Sequence, residues 1–198
     1  LLMIYINAGH GGIDKGAHIG IHWESELVQA IRDQLKVLVQ ADYVSDNLNL
    51  RQTIDYINQR AKPEDLAVDI HINSHKDSSV RGTEAFYSDN PRLAEIFSRF
   101  VAKELLIPNR GPIHDSQTFV GSLGFLRQLK CQSVLIEVCY LTNEEDRKRL
   151  LHGGIFSAAL GIKRAIESLN TPIVDKLSAI QAKINEIREA ISRLFKKS

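Results

Sequence analysis

Four residues of this sequence have side chains that could carry out chemistry, and each occupies a distinctive position. His10 lies in N-A-G-H-G-G, after the apolar run L-L-M-I-Y-I, and the glycines around it leave its imidazole open at the end of a predicted strand. Glu24 precedes a helical pattern, and His71 comes near the end of an alternating strand. Glu137 lies within the apolar run S-V-L-I-E-V. A carboxylate in such a run is costly unless a cation, a hydrogen-bond partner or a cleft receives it.

These four side chains fit a metal site better than a phosphate site. Ligands of open α/β sheets gather at the carboxyl ends of the strands. Histidine, glutamate and histidine from three such ends would suit zinc, with one position left for water. The turn at residues 7–12 matches neither G-x-G-x-x-G nor G-x-x-x-x-G-K-[ST], the glycine-rich phosphate-binding patterns. Two plainer interpretations stay open, a tight turn around His10 and a structural ion pair for Glu137.

Other histidines compete for the metal. His75 follows His71 by four residues, which is ~13 Å in an extended strand, so the two could not share one ion. Only a sharp turn after Asn73 would bring His75 close to the same metal ion. His18 and His22 belong to the loop before the first helix, where a histidine is usually solvated.

The acidic ligand also has a competitor. Glu26 lies two residues beyond Glu24 in W-E-S-E-L. We prefer Glu24 because it stands before the helical stripe of residues 25–39, where it can turn toward a neighbouring strand end.

Strand-like and helical segments alternate along the chain that must position these residues. The pattern predicts strands at 2–8, 66–73, 83–87 and 133–138 and helices at 25–39, 50–61, 90–106 and 143–169. We expect Gly153-Gly154 to interrupt the last helix. We expect the turn-rich stretch 108–125 to form a long surface loop. The alternation predicts an α/β fold, a single domain with a largely parallel sheet.

Composition limits the classes of protein to which the chain can belong. The chain has 198 residues, 43% hydrophobic and 25% charged, as expected of one globular domain with an appendage. The net charge of +1 gives no electrostatic case for nucleic acid. No apolar stretch reaches membrane-spanning length, and we see no signal peptide. Cys131 and Cys139 lie ~26 Å apart along one predicted strand, too far for a disulfide, so we expect both in the core.

The order of the motifs is similar to that of a known family. N-A-G-H-G-G-I-D-K-G-A, W-E-S-E-L, D-I-H-I-N, R-G-T-E-A-F-Y, N-R-G, F-L-R and V-L-I-E-V-C-Y-L-T-N occur in this order over roughly residues 3–169. Together they resemble the zinc-dependent N-acetylmuramoyl-L-alanine amidases of the Amidase_3 type. The resemblance implies an α/β fold with a mostly parallel sheet of about six strands flanked by helices. It also implies Zn²⁺ held by His10, Glu24 and His71, with Glu137 as the catalytic residue.

The resemblance further implies a substrate and a reaction. Members of the family cleave the amide between the lactyl group of N-acetylmuramic acid and the L-alanine of the peptidoglycan stem peptide, by zinc-activated water. Asn73 and Arg127 are candidate contacts to the substrate or to the metal ligands, although a structural amide is an equal interpretation of Asn73. A catalytically silent peptidoglycan-binding module, or another zinc peptidase or deacetylase on the same fold, are the alternatives. The first would require loss of Glu137 or of a ligand, and none is lost.

The sequence departs from the family pattern beside the predicted site. Asp69 stands where the family usually has a small or hydroxyl residue before its second histidine, and Ser74-His75 replaces a small pair. The span from Asn90 to Arg110 has room for one ordinary helix and lacks a blocking insertion. We therefore expect an open site, as in endolysins and simple cell-wall hydrolases. Such a chain would act on the cell wall, either as a phage lysin made in the cytoplasm or as a fragment of a secreted protein.

The C-terminal segment has a different pattern. After Thr171-Pro172, apolar residues recur at alternating spacings of four and three: Ile173, Leu177, Ile180, Ile184, Ile187, Ile191 and Leu194. This heptad repeat predicts a coiled-coil-like helix. We therefore expect a catalytic domain at 1–169 and a heptad helix at 170–198 that forms a homo-oligomer through residues 173–194. The alternatives are a helix that packs back on the domain and a linker to a wall-binding domain.

Overall fold

The computed structural model describes residues 2–170, 181, 183–185 and 187–188. Within this part of the chain the strands are β1 (Ile4–Ala8), β2 (His18–Ile19), β3 (His22–Trp23), β4 (Asp42–Tyr43), β5 (Leu66–Asn73), β6 (Thr83–Tyr87), β7 (Asn109–His114) and β8 (Gln132–Tyr140). The helices are α1 (Glu24–Leu38), α2 (Leu50–Asn58), α3 (Pro91–Leu105), α4 (Gly124–Gln128), α5 (Glu144–Arg149) and α6 (Ile155–Asn170).

Six of these strands form one sheet in the order β4-β1-β5-β8-β6-β7. Neighbouring strands run parallel except β6 and β8, which are antiparallel. The short strands β2 and β3 pair separately as a hairpin. The predicted α/β domain with a mostly parallel sheet of about six strands is confirmed.

The centre of the sheet is buried on both faces, as the continuous apolar runs predicted. Strands β1, β5 and β8 contribute fully buried residues, among them Ile6, Val68, Ile70, Val134 and Ile136. Helices pack on both sides through apolar stripes, such as Val28, Ile31 and Leu35 of α1 and Phe97 and Val101 of α3. Parallel strands require such cover on both faces. Cys131 and Cys139 are buried free thiols, in agreement with their predicted place in the core.

Helix boundaries follow the capping residues. The side chain of Asn90 accepts a hydrogen bond from the backbone N–H of Leu93, and Pro91 occupies the first turn of α3. The predicted break at Gly153-Gly154 is confirmed: Leu150–Gly154 forms a wide turn in which Gly153 has a φ of 91°. Between β6 and β7 the structure has only α3, so this span carries no additional insertion.

The prediction of a surface loop over residues 108–125 is wrong. Residues 109–114 form β7, a short 3₁₀ turn follows at Asp115–Gln117, and α4 begins at Gly124. Strand β7 lies at the edge of the sheet and pairs only with β6. An edge strand tolerates the exposed polar residues and the proline of N-R-G-P-I-H, because its outer side needs no ladder hydrogen bonds. Its sequence therefore lacks the apolar alternation by which a strand is recognised.

The chain divides into two units, Leu1–Ala165 and Ile166–Ser198. Most of the predicted heptad seam lies outside the described residues. Ile184 and Ile187 belong to the described part, where both are helical and exposed. No helix in the described part of the chain is both long enough and apolar enough to span a membrane.

Candidate metal centre

Three elements bring the predicted ligands to one edge of the sheet. His10 follows β1, Glu24 is the first residue of α1, and His71 lies in β5. Strands β1 and β5 are parallel neighbours, with Ala8 paired to Ile70, so their carboxyl ends lie side by side. His10 has a φ of 63°, and this left-handed conformation forms the sharp turn at the end of β1.

The three side chains converge on one point. Nε2 of His10 lies 3.0 Å from Oε1 of Glu24, and Nδ1 of His71 lies 3.2 Å from the same oxygen. The two imidazole nitrogens are 3.2 Å apart. Each residue thus directs one ligand atom toward a shared position, with all three atoms within 4.8 Å of one another.

Hydrogen bonds on the outer side of each imidazole indicate which nitrogen has the free lone pair. Nδ1 of His10 lies 2.9 Å from Asp14, and Nε2 of His71 lies 3.2 Å from Asp69. A carboxylate only accepts hydrogen bonds, so the ring nitrogen that faces it must hold the proton. In the absence of a metal the opposite nitrogens, which face Glu24, can be protonated and donate to its carboxylate. Once those protons leave, two lone pairs and a carboxylate oxygen are directed at one point, and this donor set fits a metal ion.

Glu24 is buried, with only 5% of its side chain exposed, and both of its oxygens are held. Oε1 accepts the backbone N–H of Ile72, and Oε2 accepts that of Ala17, each at 2.9 Å. Burial alone would raise the pKa of this carboxyl, but hydrogen bonds from His10 and His71 hold the pKa well below its usual range. Glu24 is therefore an anionic group in a fixed orientation.

Glu137 lies beside the three ligands on the neighbouring strand. It is paired with His71 across β5 and β8, and with Glu84 across β6 and β8. Its Oε2 is buried and has no hydrogen-bond partner among the described residues. Burial raises the pKa of Glu137 to about 8. The negative charges of Glu24 and Glu84 also raise this pKa, whereas His71 lowers it. The group can thus exchange a proton near neutral pH, as a general acid–base catalyst requires.

Two glycines leave the space that the ligands occupy. A Cβ on Gly9 would lie 2.4 Å from Cε1 of the His71 ring. A Cβ on Gly16 would lie 2.6 Å from Oε2 of Glu24 and 2.6 Å from Cδ2 of His10, and Gly16 also has a φ of 66°. No other residue type fits at these two positions without displacing a ligand. The glycines of N-A-G-H-G-G-I-D-K-G therefore serve packing around the metal centre as well as the turn.

Comparison with known proteins agrees with this geometry. The model of the Amidase_3 family, described as N-acetylmuramoyl-L-alanine amidase, matches residues 4–168. The chain belongs to the Amidase_3 family. This confirms the resemblance drawn from the order of the motifs.

Curated relatives also match much of the chain. The probable cell wall amidase LytH of Staphylococcus saprophyticus is 29% identical over 167 residues, which is 79% of this chain and 55% of that relative. The chain thus spans about half the length of the curated relatives it matches.

Solved structures of the family share the fold. The N-acetylmuramoyl-L-alanine amidase AmiC2 of Nostoc punctiforme is similar with a TM-score of 0.74 and 28% identity, over 86% of this chain and 98% of that one. The catalytic domain of CwlV, an N-acetylmuramoyl-L-alanine amidase from Bacillus (Paenibacillus) polymyxa var. colistinus, gives a TM-score of 0.72 and 27% identity, over 87% and 100% of the two chains.

The candidate metal site of this Amidase_3 domain opens into a cleft of about 960 Å³. One wall is a buried network that sequence analysis missed. Oε1 of Glu84 accepts hydrogen bonds from Asn73 and from the hydroxyl of Tyr140, each at 2.8 Å, and Oε2 accepts one from Nε of Arg110 at 2.6 Å. The signal was present, because Glu84 is a carboxylate within the apolar strand T-E-A-F-Y, as Glu137 is within its own strand.

The two candidate substrate contacts lie in different places. Asn73 lines the cleft, but its amide nitrogen donates to Glu84 and its oxygen accepts the N–H of Ser74. The structure does not bring Arg127 into the cleft. Its guanidinium donates two hydrogen bonds to the buried carboxylate of Asp115, at 2.7 and 2.6 Å, and it lines a separate cavity.

The competing histidines and Glu26 lie outside the cluster of ligands. His75 lines the cleft, and its Nδ1 accepts the backbone N–H of Asp77. His18 stacks on the ring of Trp23 in the hairpin. Glu26 is exposed on α1. Glu24, the first residue of the same helix, is the carboxylate that meets His10 and His71.

Proposed function

We propose that this Amidase_3 chain is a zinc-dependent hydrolase of peptidoglycan. The bond cleaved is the amide between the lactyl group of N-acetylmuramic acid and L-alanine of the stem peptide. The observation that carries the proposal is the convergence of His10, Glu24 and His71 on one point, beside a buried carboxylate, Glu137, that faces the same cleft. The family to which the chain belongs is described by this activity. We also propose that the chain acts at the cell wall, as relatives named cell wall amidases do.

The donor set favours zinc over other common cations. Two neutral imidazoles and one carboxylate are typical of hydrolytic zinc sites, whereas magnesium and calcium prefer oxygen ligands. When bound, zinc supplies a Lewis acid that polarises a carbonyl and lowers the pKa of water toward ~7. His10, Glu24 and His71 hold that charge at the end of the sheet, and the cleft leaves room for the substrate amide beside them.

Glu137 is the proposed general base and acid. Its unpartnered Oε2 accepts a proton from the attacking water, and the carboxyl then gives this proton to the departing amine of L-alanine. A carboxylate with an ordinary pKa near 4 would hold the proton too weakly to deliver it at neutral pH. Burial, which raises the pKa of Glu137 to about 8, therefore suits both halves of the transfer.

The part of the cleft wall around Glu84 has a positioning role in this proposal. Asn73, Tyr140 and Arg110 all direct hydrogen-bond donors at Glu84, so its charge is compensated beside Glu137. Asn73 therefore supports the cleft wall rather than supplying a free amide to the substrate. Arg127 has no part in the proposed reaction, because it pairs with Asp115 and does not line the cleft.

The decisive experiment is a digest of purified peptidoglycan with and without a zinc chelator, analysed by mass spectrometry. We expect free stem peptides that begin at L-alanine, and none after chelation. Glu137→Gln should release none, whereas Glu26→Gln, the same change at an exposed position, should behave as the unaltered chain. Cleavage between two amino acids, or loss of acetyl groups, would assign the site to a different bond. Binding without any cleavage would make the chain a silent binding module.

A further inference from the structure

Asp69, the single carboxylate of β5, is hydrogen-bonded to one of the proposed metal ligands. Asp69 and His71 are separated by one residue, so their side chains project from the same face of the strand. Oδ2 of Asp69 lies 3.2 Å from Nε2 of His71, the nitrogen that faces away from the metal position. The side chain of Asp69 is only 4% exposed, so this contact is shielded from water.

The neighbouring strand anchors this carboxylate. Asn7 of β1 is directly paired with Asp69 in the parallel ladder. The side-chain nitrogen of Asn7 donates a hydrogen bond of 2.7 Å to Oδ1 of Asp69. One carboxylate oxygen is thus held by Asn7 while the other accepts the ring N–H of His71. The three side chains form a continuous hydrogen-bonded chain from β1 to the metal ligand.

The equivalent contact on the other histidine is more exposed to water. Asp14, which accepts from Nδ1 of His10, lies in a loop with 65% of its side chain exposed. A hydrogen bond to a charged group is stronger where water is excluded, because the local dielectric is lower. His71 therefore depends on its carboxylate more than His10 does. A residue without a carboxylate at position 69 could not accept from the ring and from Asn7 through two separate oxygens.

We propose that Asp69, anchored by Asn7, is a positioning residue that fixes His71 in its metal-binding form. It keeps the proton on Nε2, so the lone pair of Nδ1 points to the metal, and it prevents the ring from turning. This inference rests on the metal centre proposed above. It assigns a role to a side chain by which this chain departs from the family pattern.

Zinc affinity, measured by competition with a chromophoric chelator, tests the proposal without any hydrolysis assay. In Asp69→Asn the amide can donate to Nε2, which favours the tautomer with its proton on Nδ1, the form that cannot bind. We expect zinc affinity to fall about 10- to 100-fold, the usual effect of removing such a partner. Asp42→Asn is the matched control, because Asp42 is a strand carboxylate bonded to the hydroxyl of Tyr56 and lies away from the cleft. Equal affinity in Asp69→Asn and Asp42→Asn would overturn the proposal.

Nitrogen NMR of the imidazoles in the zinc-loaded, otherwise unaltered chain gives an independent reading. We expect His71 bound through Nδ1, with a slowly exchanging proton on Nε2 hydrogen-bonded to a carboxylate. Binding through Nε2 would overturn the proposal even if Asp69→Asn failed to fold. Asn7→Ala keeps the carboxylate but removes its anchor, so a smaller loss of affinity is expected, and no loss would refute the anchoring role. If the unaltered chain bound no zinc, the proposed metal site itself would be refuted. This outcome distinguishes failure of the proposed function from failure of this inference.

Discussion

Glu137 and His71 are direct neighbours across the parallel pair of β5 and β8. One residue is the proposed base and the other a proposed metal ligand, and the ladder between the two strands sets their separation. The adjacent antiparallel strand adds Glu84 on the other side of Glu137. The relative position of base and metal is thus a property of strand register, which is more rigid than a loop.

Replacement of Glu137 separates the base from the ligands. In Glu137→Gln we expect turnover to fall by ~10²-fold or more, because the amide cannot accept the proton of water. Zinc content, measured by elemental analysis, should stay near one ion per chain, because Glu137 is not among the three converging donors. Loss of zinc together with activity would show that Glu137 is a ligand.

Removal of a proposed ligand should remove the metal itself. His10→Ala should abolish both zinc binding and hydrolysis, since only two donors would remain at the site. His22→Ala is the control, because His22 lies in the β2–β3 hairpin and outside the converging set. Stoichiometric zinc in His10→Ala would refute the assignment. Retained activity in Glu24→Gln with loss of metal in Glu26→Gln would show that the other carboxylate is the ligand.

Gly9 should tolerate no side chain. In Gly9→Ala the new methyl group would overlap the ring of His71, at 2.4 Å from Cε1, so the ring must move. We expect a lower melting temperature in the metal-free protein and weaker zinc binding. Gly124→Ala is the control, because there the nearest atoms are the ends of flexible side chains at 3.2 and 3.3 Å. Unchanged zinc affinity in Gly9→Ala would indicate that the ring can shift without losing the metal.

The pair of Asp115 and Arg127 predicts a pH dependence of stability. Hydrogen bonds from Arg127 hold the pKa of the buried Asp115 carboxyl below its ordinary value. A group whose pKa is lowered by folding stabilises the protein above its unfolded-state pKa, and this contribution is lost as the pH falls through the folded-state pKa. Arg127→Met should lower the unfolding free energy near neutral pH, because it leaves the buried Asp115 carboxylate without its cation.

Acid titrations followed by circular dichroism check this prediction. The midpoint of acid unfolding should move to higher pH in Arg127→Met, because the carboxyl then protonates nearer its ordinary pKa. Arg51→Met removes an exposed partner of Asp55 on α2 and should leave the midpoint unchanged. Equal midpoints in the two variants would contradict a stabilising role for the buried pair.

The C-terminal heptad repeat predicts self-association. We expect light scattering at micromolar concentration to find the full chain as a dimer or higher oligomer, and a chain that ends at Asn170 as an active monomer. Ile184→Glu with Ile187→Glu should give a monomer, because both residues belong to the seam and are exposed. Asn185 lies off the seam, so Asn185→Glu should leave the chain oligomeric. A monomeric full chain would refute the oligomer and leave the catalytic proposal unaffected.

The sequence revealed the four central strands of the sheet, the main helices and the three converging residues, because buried strands and amphipathic helices have strong apolar patterns. It did not reveal β4, β7, the β2–β3 hairpin or α4. These elements are short or lie at an edge, and pairing with a neighbour rather than their own apolar pattern stabilises them. The contact between Asn7 and Asp69 could also not be predicted from the sequence. It depends on the register of two strands, and the two residues are 62 positions apart in the chain. The Arg127–Asp115 pair was missed because Asp115 lies in the stretch 108–125, which was expected to form a surface loop.

The position of β8 has a consequence for folding. Strands β5 and β6 follow each other in sequence, yet β8 lies between them in the sheet. During synthesis the sheet cannot close until residues 132–140 have emerged, and contacts of such sequence separation form slowly. The three proposed metal ligands all belong to the first 71 residues, whereas the proposed base arrives with the strand that completes the core. A nascent chain could therefore gather its metal ligands early but would acquire its base only with the final closing strand.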